Sequence, residues 1–406
     1  MRTISPILCL PLLISWSCTH TVIDSNLDSL YFIEVTVADA NTVETPFPFS
    51  PLPVEKTISI RTLDGNGDAI AFTGDLKINV RPGTLATGQD PWIHVENGEI
   101  RPGDEVIAFQ SAFGPTRIWV SDEGDKDQTS ERKPTFATGV AEELFFAFPT
   151  IADFNKSTDD SGVQLIQNTT NHLVSEFTEV RLQDRRVVTT VVSPNGFWVT
   201  DIDDYNNSAD GGFASLYVYS FSKPDGIVPG AILSKLTGGN QEYLGSTQLS
   251  FPDYEVSSVD TSLIPAPKVL TGEQACNTNN RNYDNHKMES FESALVTMSN
   301  ATVAFNGDQS LIAEYLEYGQ WPVTFTDGGT SCTMYVDSSA LSYDFDPVAW
   351  DGQDVGPVTG IVNQIWSKWI LVLADDNGIS NSFADGAAQR PRSPGPRRPI
   401  PRYPTE

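Results

Sequence analysis

The stretch KTISIRTLDGNGDAIAFTGDLKINVRPG, residues 56–83, alternates apolar and polar side chains and breaks only at Gly, Asn, Asp and Pro. A two-residue period sends neighbouring side chains to opposite faces, so this text specifies half-buried strands joined by tight turns, not amphipathic helices. The same pattern runs through YFIEVTVADA, WIHVENGEI and DEVIAFQSAFGPTRIWVSD. Only SLIAEYLEYG, from Ser310, carries a helical spacing. Apolar residues make up 39% of the chain, enough for small β cores, and 21 Phe, 12 Tyr and eight Trp supply their bulk. The expected class is therefore all-β, and 406 residues leave room for several domains.

The chain carries a formal charge of −28. Arginines collect in the tail QRPRSPGPRRPIPRYPTE, which leaves the body still more acidic. Non-specific nucleic-acid affinity comes from Lys and Arg displacing counterions, so such a surface argues against a nucleic-acid partner. The N-terminus reads as an export signal, with Arg2 ahead of an apolar run from Ile4 to Trp16. Its end, Ile14-Ser15-Trp16-Ser17-Cys18, resembles a bacterial lipobox, which implies lipidation at Cys18 and a membrane partner through that anchor; simple cleavage is the alternative. Thr19 after the cysteine points, by the same resemblance, to the outer membrane. In an oxidising compartment the two body cysteines, Cys276 and Cys332, are expected to be bridged.

Punctuation and composition divide the chain into a signal (1–18), a tether (19–28), a β-sandwich (29–122), a charged linker (123–138), a first barrel unit (139–258), a Pro/Ser-rich linker (259–285), a second barrel unit (286–380) and a Pro/Arg-rich tail (381–406). The sandwich text, with Asp64-Gly65-Asn66 opening a hairpin and Gly114 to Val120 closing the module, resembles bacterial immunoglobulin-like domains. The two later units share a plan of one opening strand, a hairpin and two closing strands, which suits a five-stranded barrel. Their phrases GFWVTD…LYVYS…VPGAILSKLTG…QEYLGSTQLS and ESALVTMSNATV…GPVTGIVNQI resemble the OB-fold modules of bacterial secreted nucleases and cell-surface lipoproteins. That likeness covers about 170–256 and 286–374; it departs at Pro229-Gly230-Ala231, where the family has Gly-Asp. It implies tandem OB-like barrels behind an immunoglobulin-like sandwich.

Those nucleases carry their catalysis in a separate domain, for which no matching text is present here. The four histidines, His20, His94, His172 and His286, are isolated, and HExxH, GxSxG and Walker-type loops do not occur. The expected role is non-catalytic: a binding or display module for a protein or glycan ligand on the cell envelope. The alternatives are an accessory that presents nucleic acid to a nuclease and a purely structural envelope protein. Two sets of residues are candidates for binding. Asp201, Asp203, Asp204, Asn206 and Asp210 cluster hard oxygen ligands between two strands, which suits Ca²⁺; the same residue types also build solvated hairpin loops. Calcium is the one cofactor left open. Trp198, Tyr217, Tyr219 and Trp321 lie on barrel strands whose outer face, in OB-folds, stacks ligands.

Overall fold

The computed structural model describes residues 32–127, 133–155, 157–158, 164–165, 176–276, 286–339, 341, 345–365 and 368–373. The export signal with Cys18, the tether and the Pro/Arg-rich tail lie outside the described residues, as do His20 and His172. The protein is all-β. Among the described residues no helix is long and apolar enough to cross a membrane.

Nine strands come first: β1 (Phe32–Val37), β2 (Val54–Leu63), β3 (Gly74–Arg81), β4 (Thr84–Leu85), β5 (Trp92–Val95), β6 (Glu99–Gln110), β7 (Gly114–Ser121), β8 (Thr138–Val140) and β9 (Leu144–Phe146). One sheet has the order β1-β2-β6-β4 and the other β5-β3-β7-β8, with β9 also paired to β7. In β3 the alternation turns Leu76, Ile78 and Val80 inward, where they meet Ile58, Ile60 and Phe109 of the opposite sheet in one core. The sandwich continues past the charged stretch: β8 and β9 both pair with β7, and Ala141, Leu144 and Phe146 belong to its core. Asp122 fastens that stretch, accepting hydrogen bonds from the N–H and hydroxyl of Thr135.

After α1 (Ile151–Asn155) and the short pair β10 (Ser157–Thr158) and β11 (Gln164–Leu165), the first barrel follows. Its strands are β12 (Phe177–Glu179), β13 (Val187–Ser193), β14 (Gly196–Asp201), β15 (Ser215–Tyr219), β16 (Ala231–Tyr243) and β17 (Ser246–Val259), with α2 (Ile202–Asn207) between β14 and β15. Pairing runs β16-β13-β14-β15-β17, and β17 returns to β16, so five strands close a barrel with β15 and β17 parallel. This is the OB strand order. Register shifts in β13 and β16 supply the coiling that closure needs. Phe197, Val199, Leu216, Val218 and Leu249 fill the barrel, and Ile151 and Phe154 of α1 join that core.

The text between the barrels is built into the second one. β18 (Lys268–Val269) pairs in parallel with β19 (Leu295–Met298), and α3 (Gly272–Ala275) and α4 (His286–Glu289) precede that strand. Leu270, Ala275 and Cys276 lie in the second core. Then come β20 (Ala301–Val303), α5 (Gln309–Tyr318), β21 (Gln320–Asp327), β22 (Thr330–Asp337), β23 (Val358–Ile365) and β24 (Lys368–Leu373). The sheet order is β18-β19-β23-β24-β22-β21-β20, again with a parallel pair, β22 and β24. β19 and β20 are two halves of one opening strand, so the sheet curls on the same plan as the first barrel. α5 falls on the one stretch with helical spacing, with Asp308 as N-cap and Gly319, at φ 80°, as C-cap. Cys276 and Cys332 form a disulfide, Cα atoms 5.4 Å apart, tying the C-terminus of α3 to β22.

Candidate functional site: an aromatic groove at the barrel seam

β14 is buried along its whole length, GFWVTD. Its inward residues, Phe197 and Val199, fill the first barrel, while the outward Trp198 meets Leu295 and Ile361 of the second. A strand covered on both faces needs a neighbour on its outer side, and here the second barrel is that neighbour. Tyr205 of α2 reinforces the seam: its hydroxyl donates to the Leu295 carbonyl at 2.7 Å. Burial pushes that phenol up to about 12.

Beside the seam lies a cavity of about 520 Å³, of the size of small-molecule and oligosaccharide sites. One wall is the outer face of β15, where residues two apart point the same way. Tyr217, Tyr219 and then Phe221 form a ladder with ring centroids 6.3 and 4.5 Å apart. Phe251, on β17, extends it at 4.8 Å from Phe221. Phe221 and Phe251 both hold left-handed backbone conformations, φ 62° and 53°, uncommon for bulky residues. The two residues are 54% and 65% exposed, so burial does not compensate the backbone cost; strain of this kind concentrates at functional positions.

The polar lining is mostly amides, with Ser246 and tyrosine hydroxyls beside them. Gln241 and Gln248 come from the first barrel, Asn363 and Gln364 from the second, and Asn195 accepts a hydrogen bond from the Tyr217 hydroxyl. None of the described lining residues is charged. The wall contributed by the second barrel is set by the tip of the β16–β17 hairpin. Gly245, at φ 96°, comes so close to Gln364 that a Cβ there would stand 2.6 Å from its Oε1. Ser246, next in sequence, donates to Asn363 Oδ1 at 2.9 Å.

Of the four aromatic candidates from the sequence, Tyr217 and Tyr219 line this groove and two do not. Trp198 is sealed in the seam, where its ring supports Tyr217 at 4.6 Å. Trp321 is fully buried in the second core and donates its indole N–H to Ser338. Its strand, β21, turns that side chain inward, which removes it from any stacking surface. Phe251 and the groove's amides had no sequence signal, because an outward-facing amide on a strand looks like ordinary solvent-facing text.

The acidic loop is folded around two arginines. Asp201, 1% exposed, caps α2 by accepting from the N–H groups of Asp203 and Asp204. Arg185 bridges Asp201 and Asp204 at 2.6 and 2.7 Å, and Arg186 pairs with Asp203, holding that carboxyl below its usual range. Asp210 accepts from Ser208 and the Gly212 N–H, and Asn206 is exposed. The loop is thus a capped helix turn with internal ion pairs. Among the described residues no group of three His, Cys, Asp or Glu converges in a way that could hold a metal ion.

A second acidic cluster was not visible in the sequence. Glu289, on α4, and Glu292, just after it, are buried where this segment meets the β16–β17 hairpin. Both Glu292 oxygens accept from the Thr247 N–H, at 3.2 and 3.3 Å. The Thr247 hydroxyl donates to Glu242 at the end of β16. Burial, with the Glu242 charge added, pushes Glu292 up to about 8 against the pull of the Ser246 and Thr247 hydrogen bonds. Burial, with the charges of Glu292 and Glu242 added, raises Glu289 well above its ordinary value.

Fold and site together define a protein of one sandwich and two docked OB-type barrels, with an uncharged aromatic groove along their seam. No family model matches this chain, and no curated protein matches it.

Proposed function

We propose that this protein is a non-catalytic, exported and lipid-anchored binding module of the cell envelope, and that the seam groove holds a neutral glycan. The observation that carries the reading is the composition of the groove: a ladder of four aromatic rings faced by amides, with no charged side chain. Aromatic faces stack on the C–H faces of sugar rings, and amides match the paired donor and acceptor character of hydroxyl groups. Nucleic acid would need cations to offset its phosphates; none of the described lining residues is one, and the chain carries −28. A charged or strongly apolar ligand would leave amides or charge unmatched.

The test is affinity electrophoresis of the full chain through gels containing a neutral β-glucan, α-glucan, xylan or galactomannan, alongside immobilised single-stranded DNA at low salt. Retardation by at least one neutral polysaccharide, weakened tenfold or more in Tyr219→Ala, is expected. Retention on DNA alone would favour the nuclease-accessory role, and no retention on any of these would leave a structural envelope protein.

A further inference from the structure

The seam is held at one point by carboxyl groups that have no cation paired to them among the described residues. Glu289 and Glu292 are 6% and 2% exposed, and neither makes an ion pair among the described residues. One Glu289 oxygen, Oε2, is buried with no hydrogen-bond partner. The charged groups on the elements packed around them do not relieve this. Glu242 on β16 is a third acid, Lys287 on α4 is paired with Glu273, and Asp210 of the loop abutting Ser290 adds a carboxylate that Lys268 on β18 faces. Two buried carboxylates beside a third acid would repel each other in a medium too poor in water to screen them. Burial and mutual repulsion therefore favour carboxyls that keep their protons.

Position gives this chemistry a consequence. Glu292 receives the N–H of Thr247, and the preceding residue, Ser246, lines the groove and bonds Asn363 of the second barrel. We propose that Glu289 and Glu292 form a proton-operated latch that keeps the two barrels docked while both carboxyls are protonated, and releases the seam, and with it the shared groove, as they ionise. Its effect on ligand rests on the glycan reading above; the opening of the seam does not.

The sign follows from linkage. A carboxyl exposed by undocking loses its proton near its ordinary value, 4.5, whereas docked Glu292 keeps its proton up to about 8. Between those limits undocking releases the Glu292 proton, so rising pH favours the open form by up to about tenfold per pH unit, and Glu289, raised in the same direction, adds to it. Docking is firmest below the lower limit, weakens across the window and changes no further once the docked groups are also ionised.

The experiment follows the full chain at pH 5, 7 and 9 by small-angle scattering and by the emission of Trp198, taken as the difference from Trp198→Phe. A larger radius and a red-shifted Trp198 at pH 9 are expected in the native chain. Glu289→Gln with Glu292→Gln, which keeps the shape without the titrating proton, should stay docked at all three values. Should the double variant fail to fold, Glu292→Gln alone still offers an oxygen to the Thr247 N–H and should reduce the pH slope. A native chain unchanged from pH 5 to 9, or glutamine variants that open like the native chain, would overturn the latch. Glycan retardation measured in parallel separates the two proposals: binding lost while the seam stays closed counts against the groove reading alone.

Discussion

Trp198 and Tyr217 stand directly opposite each other on β14 and β15, ring centroids 4.6 Å apart, and the edge of the barrel seam runs between them. Trp198 is covered by Leu295 and Ile361; Tyr217 opens onto the groove. One pair of rings therefore joins the contact that docks the barrels to the surface available for a ligand.

Replacing Trp198 with Ala should cost about 3–5 kcal/mol, the range for deleting a large buried aromatic. Because the lost ring also supports Tyr217, polysaccharide retardation should fall with it. Denaturant unfolding of the variant measures the first effect and affinity electrophoresis the second; a cost below about 1 kcal/mol would mean that the seam is not packed as described.

At Phe251 stability and binding should part. Glycine accepts the left-handed backbone that phenylalanine holds there at φ 53°, and the ring is mostly in water. Phe251→Gly is expected to leave the midpoint of unfolding within about 1 kcal/mol of the native value, since relief of the backbone offsets the lost ring. Its affinity for the neutral polysaccharide should fall severalfold. A strongly destabilised variant would show that Phe251 is a packing residue.

The ion pairs of the acidic loop predict a response to charge removal that calcium binding would not give. Arg185→Ala leaves Asp201 buried without its partner, at a cost of about 2–3 kcal/mol, below the range for fully buried pairs because Arg185 keeps 25% of its side chain exposed. The native chain should melt at the same temperature with and without a chelator, since arginines already neutralise these carboxylates. A chelator-sensitive melting temperature would revive a cation site in the loop.

Opening the Cys276–Cys332 bridge should lower stability by about 4 kcal/mol on chain-entropy grounds, for a sequence separation of 56. Unfolding of Cys276→Ser with Cys332→Ser, compared with the native chain, measures it. Because the bridge ties α3 to β22, the loss should fall on the second barrel, and hydrogen exchange in β13 to β17 should change least.

Much of the fold could be read in the residues. Period two and turn residues located the hairpins GFWVTD…LYVYS and WPVTFTD…CTMYVD, because a strand's face pattern is written within a few residues of itself. The same local logic placed α5, whereas the pairing of the two body cysteines was expected from the oxidising compartment that the export signal implies. Module limits were less legible. β8, β9 and β18 are two or three residues long, and pairing with distant strands, not their own pattern, assigns them to a module.

The groove and the buried acids were not legible at all. Alternation says that Trp198 and Tyr217 leave the barrel on the same side, and Glu292 reads as one acid among 53. Which outward ring is sealed, which stays open and which carboxyl loses its water are decided by the docking of two barrels whose contacting strands, β14 against β19 and β23, lie far apart in the chain. The sequence by itself determined the strands, their inward faces and the sign of the surface, since these depend on neighbours along the chain. The tertiary structure alone decided the site, because burial and electrostatic environment are properties of what is brought close in space.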